Sequence, residues 1–120
     1  MSFLDAFQVF HQIPLALAGQ EKTAFLTPTG NYYYRVMPSG SKNVGSTYQR
    51  MVTRTFESHL RKNVEAYIDD IVVKSKLVTE HLSNLGSVFE ALRKHKLCLN
   101  ASKCSFSVSF GKFLGYMITH

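Results

Sequence analysis

The hydrophobic positions of this chain change period several times, and each change predicts a different element. Short apolar runs predict strands, whereas apolar residues at steps of three and four predict helices. Clusters of proline, glycine, serine and asparagine separate these runs. The first predicted strand, 2–5, leads into a helical turn over 6–12 that Pro14 closes. A hairpin is predicted from strands 23–27 and 32–37, which flank residues 28–31, and another from strands 64–68 and 71–73, which flank Asp69 and Asp70. A final hairpin is predicted within 104–119, around Gly111.

Two stretches have the period of a helix. The first runs from Val44 to about Lys62, and the second from Thr79 to His95, with Thr79 as the predicted helix cap. Their apolar stripes are Tyr48, Met51, Val52, Thr55, Phe56 and Leu60 in the first, and Leu82, Leu85, Val88, Phe89 and Leu92 in the second. The order of elements predicts an α+β fold with a largely antiparallel sheet.

Composition limits the class of protein. A chain of 120 residues with 45% hydrophobic residues is long enough for one folded domain. Its net charge of +6 is compatible with a phosphate-rich partner, although the helical cations by themselves fit a solvated face. Cys98 and Cys104 match neither a disulfide framework nor a zinc-finger spacing, which favours free thiols. No apolar run is long enough for a membrane helix and no secretory signal is evident, so we expect an intracellular, non-secreted protein.

The pair Asp69-Asp70 is the most informative feature of the sequence. Adjacent carboxylates at a hairpin tip repel each other unless a cation lies between them. Ordinary two-residue hairpin turns use Asn-Gly or Asp-Gly, and no glycine is present here. A third carboxylate, Asp5, also ends an apolar strand. Oxygen ligands without histidine or cysteine favour two Mg²⁺ or Mn²⁺ ions and phosphoryl or nucleotidyl transfer, while the alternative is an exposed Asp-Asp turn without function.

The sequence around these carboxylates resembles the reverse transcriptases of Ty3/gypsy-type LTR retrotransposons. Tyr67-Ile68-Asp69-Asp70 is similar to the YxDD motif of that family. Five further segments are similar to family motifs in the same order, and together they extend over almost the whole chain: 4–13, 20–25, 37–50, 99–104 and 112–116. The resemblance implies a truncated palm, with an antiparallel sheet backed by two helices, and part of the fingers. Residues 15–45 would be fingers-like, and residues 1–14 and 46–120 would run from the palm to the primer grip.

The resemblance also implies a role for individual residues. Asp5, Asp69 and Asp70 match the catalytic, metal-binding triad. The backbone over 6–9 would lie under the incoming triphosphate, and Phe10 matches the aromatic residue that excludes a ribose 2′-hydroxyl, with core packing as its alternative. The remaining implied contacts are Ala6, Phe7, Gly40, Lys42 and Lys103 with the dNTP, and Tyr67, Ile68, Gln49, Arg50, Phe113, Leu114 and Gly115 with the template and primer. Lys103 would protonate the leaving pyrophosphate or be merely solvated.

Some positions depart from the family pattern. Gln8 and Val9 stand where Ser-Gly is usual, which predicts a crowded turn below the nucleotide. Other departures are Ser39 and Ser41 for Phe and Leu, Leu17–Gly19 for Pro-Glu-Asp, and Thr29 for Phe. The upstream fingers strands, the thumb, the connection and RNase H of a Pol polyprotein are outside this chain, so we expect weak or no activity from the chain alone.

The function implied is RNA-directed DNA synthesis, with a template–primer, dNTPs and the rest of Pol as partners and no membrane. Such a protein would be cytoplasmic, in a virus-like particle, or nuclear. One alternative is a decayed retroelement fragment that at most binds nucleic acid. Another is a small basic binding module in which Asp5 lies more than ~10 Å from Asp69, too far for two metal ions held ~4 Å apart.

Overall fold

The computed structural model describes residues 1–119. The α+β order predicted from the sequence is confirmed, including a helical turn after the first strand, at 9–12. A short helix at 17–20 and a helical turn at 21–23 were not predicted. The strands are β1 (Ser2–Asp5), β2 (Phe25–Thr27), β3 (Gly30–Tyr32), β4 (Val64–Tyr67), β5 (Asp70–Val73), β6 (Phe110–Phe113) and β7 (Tyr116–Thr119). The helices are α1 (Leu17–Gln20), α2 (Val44–Thr55) and α3 (Val78–Lys94).

The central sheet is antiparallel, with the order β1-β5-β4. Its register pairs Leu4 with Ile71 and Ile71 with Ala66, and one residue further along it pairs Asp5 with Asp70 and Asp70 with Tyr67. Because successive side chains of a strand point to opposite faces, the sheet has one apolar face and one face that carries the two acids.

Helices α2 and α3 cover the apolar face. Their side chains join those of the strands in one hydrophobic cluster, in which the exposed fraction is 0% for Tyr48, Val52, Phe56 and Val88. This arrangement confirms the predicted sheet backed by two helices. No helix within residues 1–119 is long and apolar enough to cross a membrane.

Hairpin β2–β3 belongs to an excursion, residues 16–34, that leaves the sheet and returns to it. Backbone bonds join Leu15 to Arg35 and Met37 to Ile13 where the two ends meet. None of residues 16–34 is buried. The hairpin is as predicted, but it is shorter than 23–37, because Tyr33 and the residues after it leave the pairing and Val36 bridges to Pro14 instead.

The helices correct three predictions, two on their boundaries and one on a buried position. Helix α2 ends at Thr55 rather than near Lys62, since the chain turns at Phe56 to enter β4. Helix α3 begins after Leu77, and Thr79 lies inside it with no side-chain cap. The predicted stripe of α3 included Leu82, which is 81% exposed, whereas the buried position of that turn is His81. His81 is accommodated because Ser2 Oγ and Ser75 Oγ lie 2.7 and 2.9 Å from its ring nitrogens.

The final hairpin, β6–β7, turns at Leu114–Gly115 rather than at Gly111. Gly111 lies within β6, where a Cβ atom would stand 2.2 Å from the ring of Phe3. Phe3 projects from the face of the central sheet that α2 and α3 do not cover. The hairpin therefore packs on the acidic face, and the absence of a side chain at Gly111 permits that approach.

Candidate active site

Two of the three predicted catalytic carboxylates are direct neighbours across the sheet. Asp5 ends β1 and Asp70 begins β5, and their Cα atoms are partners in the register. Directly opposed residues of an antiparallel pair have Cβ atoms about 5 Å apart. Tyr67 is the partner of Asp70 on the other side and is half-exposed on the same face. The binding-module alternative required Asp5 to lie far from Asp69, whereas the pairing places Asp5 opposite Asp70, the neighbour of Asp69 in the chain.

The turn between β4 and β5 is formed by Ile68 and Asp69, so Asp70 is a strand residue rather than part of the predicted tip. Ile68 has φ 48°, in the left-handed region that β-branched residues rarely adopt. Gln49, on α2, holds this strained turn from below. The Ile68 N–H donates to Gln49 Oε1 at 2.8 Å, and Gln49 Nε2 donates to the Ala66 carbonyl at 3.3 Å.

Asp69 is electrostatically coupled to the other two acids. Partial burial raises the pKa of its carboxyl, and the charges of Asp5 and then Asp70 raise it further. Lys103 acts in the opposite sense and lowers this pKa. The three carboxylates and one predicted pyrophosphate-contacting lysine therefore share one electrostatic environment.

Lys103 reaches this position because residues 98–105 run beside β1. The Phe7 N–H donates to Cys98 O at 2.9 Å, the Asn100 N–H to Asp5 O at 2.8 Å, and Phe3 and Ser105 exchange two backbone bonds. The Asp5 N–H also points to Cys104 Sγ at 3.4 Å. Gln12 fixes the same segment, since its Oε1 accepts from the Cys98 N–H at 2.7 Å. No role at the site was predicted from the sequence for Gln12 or for Cys104.

Tyr48 is a further residue whose proximity to the acids was not predicted from the sequence. Its side chain is fully buried, and its hydroxyl has no hydrogen-bond partner within the described residues. Burial, followed by the charges of Asp69 and Asp5, raises the pKa of Tyr48 to about 12. Its ring meets that of Phe10 edge to face, with centroids 6.0 Å apart. The helical period correctly predicted a core position, but only the tertiary structure places it under the acids.

The tip of hairpin β6–β7 reaches the carboxylates. Leu114 and Gly115 both have positive φ, as a tight turn of this kind requires. The Leu114 N–H lies 3.4 Å from Asp70 Oδ2. The predicted primer-holding residues, Phe113 to Gly115, are therefore adjacent to the predicted triad.

The other predicted contacts are distributed around this centre. Ala6 is buried and Phe7 is half-exposed directly after Asp5. Gln8 has φ 43°, in the left-handed region that residues with a side chain rarely adopt. Arg50 is exposed on α2. Gly40, with φ 90°, and Lys42 lie exposed in the loop before α2, and within residues 1–119 Lys42 forms no ion pair.

The donor set fits a hard divalent cation. Asp5, Asp69 and Asp70 offer carboxylate oxygens, the ligands that Mg²⁺ and Mn²⁺ prefer. The repulsion that raises the pKa of Asp69 is the kind that a bound cation relieves. Among the residues that the structure describes, however, no three histidine, cysteine, aspartate or glutamate side chains form a ready-made metal group. The carboxylates are thus gathered at one edge without being closed around an ion.

Comparison with known proteins agrees with this geometry. Residues 1–118 match the family model described as reverse transcriptase (RNA-dependent DNA polymerase), and the chain belongs to that family. It is 37% identical over 116 residues to the retrovirus-related Pol polyprotein from transposon 297 of Drosophila melanogaster, covering 97% of this chain and 11% of that protein. It is 38% identical over the same length to the polyprotein from transposon opus, covering 97% of this chain and 12% of the relative. The Tf2-3 polyprotein of Schizosaccharomyces pombe is 32% identical, with 97% and 9% covered.

Solved structures show the same similarity. The foamy viral protease-reverse transcriptase in complex with double-stranded DNA superimposes with a TM-score of 0.90 at 25% identity, covering 98% of this chain and 22% of that one. The complex of the same viral enzyme with an RNA/DNA hybrid gives a TM-score of 0.90 at 25% identity, with 98% and 16% covered. The predicted reverse transcriptase of Ty3/gypsy type is confirmed, and this chain spans only about a tenth of its curated relatives.

Proposed function

We propose that this chain is the catalytic part of an RNA-directed DNA polymerase, in which Asp5, Asp69 and Asp70 support transfer of a dNTP to a primer 3′-hydroxyl. The observation that carries the proposal is the pairing of Asp5 with Asp70 in the sheet, with Asp69 coupled to both. Opposed carboxylates destabilise a sheet unless they serve a ligand. The template would be RNA or DNA.

The three carboxylates would hold two Mg²⁺ or Mn²⁺ ions. When bound, these ions lower the pKa of the primer hydroxyl and neutralise the triphosphate and the leaving pyrophosphate.

The protein's own residues position the reactants. Leu114, at the hairpin tip beside Asp70, would hold the primer end over the acids. Gln49 keeps the strained Ile68–Asp69 turn in one conformation, so that Asp69 does not have to be ordered during the reaction. Lys103, whose charge lowers the pKa of Asp69, would donate a proton to the leaving pyrophosphate.

Primer extension tests the proposal. The wild-type chain, a DNA primer on an RNA template, dNTPs and Mn²⁺ should give slow extension that stops when EDTA is added. Asp69→Asn should reduce the rate by roughly a hundredfold or more, because it removes one metal-binding charge. Glu80→Gln is the matched control, since Glu80 is an exposed acid in the first turn of α3. It should extend the primer at the wild-type rate.

The alternative of a decayed fragment predicts a different result. Such a chain would bind the template–primer with no extension in either metal, and Asp69→Asn would behave as the wild type. If Asp69→Asn and Glu80→Gln retained equal extension activity, the assignment of the carboxylates would be wrong.

A further inference from the structure

A second feature of the acidic face lies away from the carboxylates. A cavity of about 550 Å³ opens between the sheet and hairpin β6–β7. Glu65 and Val72, which are partners in the register, line it together with Phe113 and Ile118 of the hairpin. None of Asp5, Asp69 and Asp70 lines it. Val72 is two residues from Asp70 along β5, so the cavity begins roughly 7 Å beyond the acids.

Four cationic side chains surround this cavity. Arg61 and Lys62 come from the turn before β4, and Lys74 and Lys76 come from the segment after β5. The sequence pattern had placed Arg61 and Lys62 on a solvated helix face, but α2 ends at Thr55 and the chain carries both to the cavity. The two segments are joined, since the Lys74 N–H donates to Asn63 O at 2.8 Å.

The cations are only partly neutralised. Glu65 forms an ion pair with Lys74, with 2.5 Å between Oε1 and Nζ. Arg61, Lys62 and Lys76 form no ion pair with another residue of 1–119. Arg61 also has φ 64°, a strained conformation for a residue with a side chain, in the turn that carries it to the rim. A cavity with this rim favours an anion.

The floor of the cavity distinguishes among anions. Val72, Phe113 and Ile118 give it an apolar base with one aromatic ring. Its volume is in the range of small-molecule sites. Arginine and lysine bind phosphate oxygens strongly, and an aromatic ring provides a stacking surface for a nucleobase. An anion with a flat apolar part satisfies both halves of the cavity.

We propose that this cavity is a second, non-catalytic site for a nucleotide unit, with its phosphate on Arg61, Lys62, Lys74 and Lys76 and its base against Val72, Phe113 and Ile118. The nucleotide is either free or part of a nucleic acid strand, and the recognising chemistry is the same in both cases. Glu65 competes with the phosphate for Lys74 and limits the affinity of the site.

Binding without turnover tests the proposal. The 120-residue chain is titrated in EDTA with dAMP, with inorganic phosphate and with a twelve-nucleotide single-stranded DNA, and the amide NMR shifts of residues 61–76 and 113–118 are followed. We expect dAMP or the oligonucleotide to shift these amides and to bind more tightly than inorganic phosphate. The double variant Lys74→Gln/Lys76→Gln should weaken binding roughly tenfold, and Glu65→Gln should strengthen it.

Matched variants make the result decisive. Lys94→Gln/Lys96→Gln removes the same charge at two exposed positions outside the cavity lining, and it should bind as the wild type does. Asp69→Asn should also retain binding, which separates this site from the proposed catalytic one. Binding of dAMP would identify a free nucleotide, and binding of the oligonucleotide alone would identify a strand. The proposal is overturned if neither binds, if inorganic phosphate binds equally well, or if both lysine pairs have the same effect.

Discussion

Tyr48 is a core residue whose hydroxyl is influenced by the charges of the neighbouring acids. Its ring is packed among apolar side chains, yet its hydroxyl lies within the electrostatic range of Asp69 and Asp5. A buried hydroxyl without a hydrogen bond costs stability, and the nearby negative charges oppose its ionisation. The pKa of Tyr48 therefore depends both on its burial in the core and on the negative charge of the acids.

We expect Tyr48→Phe to change the alkaline stability of the fold. The pKa of Tyr48 is about 12 in the folded chain and 10.0 for an unperturbed tyrosine. Between these values the unfolded chain loses the proton and the folded chain keeps it, so wild-type stability falls as pH rises. Relative to the wild type, Tyr48→Phe should gain about 1.4 kcal/mol between pH 9 and pH 11.

Urea unfolding of both chains at pH 9, 10 and 11 measures this difference. At pH 7 the variant should equal or slightly exceed the wild type, because the lost hydroxyl had no partner within the described residues. A constant difference across the pH range would show that the hydroxyl ionises normally in the folded chain.

At the scale of elements, the strained turn and its support come from different parts of the chain. The Ile68–Asp69 turn belongs to hairpin β4–β5, and Gln49 belongs to α2. A hairpin without glycine pays for the left-handed residue through contacts made elsewhere. The helix therefore supports the turn that carries Asp69, although it contributes none of the carboxylates.

Gln49→Leu should destabilise the fold by about 1–2 kcal/mol, because it leaves the Ile68 N–H and the Ala66 carbonyl without their side-chain partner. Hydrogen exchange followed by NMR should show loss of protection at the Ile68 amide. Ser46→Ala, at an exposed position of the same helix, is the control. Unchanged protection of Ile68 in Gln49→Leu would show that the turn is stable without this support.

The packing of hairpin β6–β7 on the sheet gives a further prediction. Gly111→Ala places a methyl group 2.2 Å from the Phe3 ring and should cost about 1–3 kcal/mol. Thermal unfolding of the single variant and of Gly111→Ala/Phe3→Leu measures the coupling, and the smaller side chain should recover part of the loss. Gly86→Ala, where nothing lies within 4 Å of the added atom, should instead stabilise α3 by about 0.5–1 kcal/mol. Equal effects of the two alanines would contradict this packing.

At the scale of the whole molecule, the chain is extended. Its radius of gyration is 16.8 Å, compared with about 13.6 Å for a compact chain of this length. The excursion over 16–34, which buries no residue, contributes an aromatic group at its end, where Phe25 lies 6.2 Å from Tyr32 and 5.6 Å from Tyr34 between ring centroids. The net charge of +6 accompanies this open shape.

Binding to a template–primer duplex should therefore depend strongly on salt. Release of counterions from the phosphates predicts that the affinity falls by more than roughly tenfold between 50 and 200 mM salt. Fluorescence anisotropy with a labelled RNA/DNA hybrid measures this change. An affinity that does not vary with salt would contradict an electrostatic contact between the basic chain and the phosphate backbone.

The sequence by itself predicted the elements that are determined by residues close together in the chain. Alternation and helical period identified hairpin β4–β5 and helices α2 and α3, and the acids at strand ends predicted the candidate site, because these signals depend on neighbouring residues. The same signals misplaced Leu82, since the burial of His81 depends on partners 79 and 6 residues away along the chain.

Only the tertiary structure decided which distant residues meet. The opposition of Asp5 and Asp70, the support of Ile68 by Gln49 and the position of Tyr48 each join residues from different elements. The transfer of Arg61 and Lys62 to the cavity likewise follows from the end of α2, which long-range packing determines. A pattern along the sequence does not tell how far apart such residues lie in space, because that distance is determined by the register of the strands and the packing of the helices.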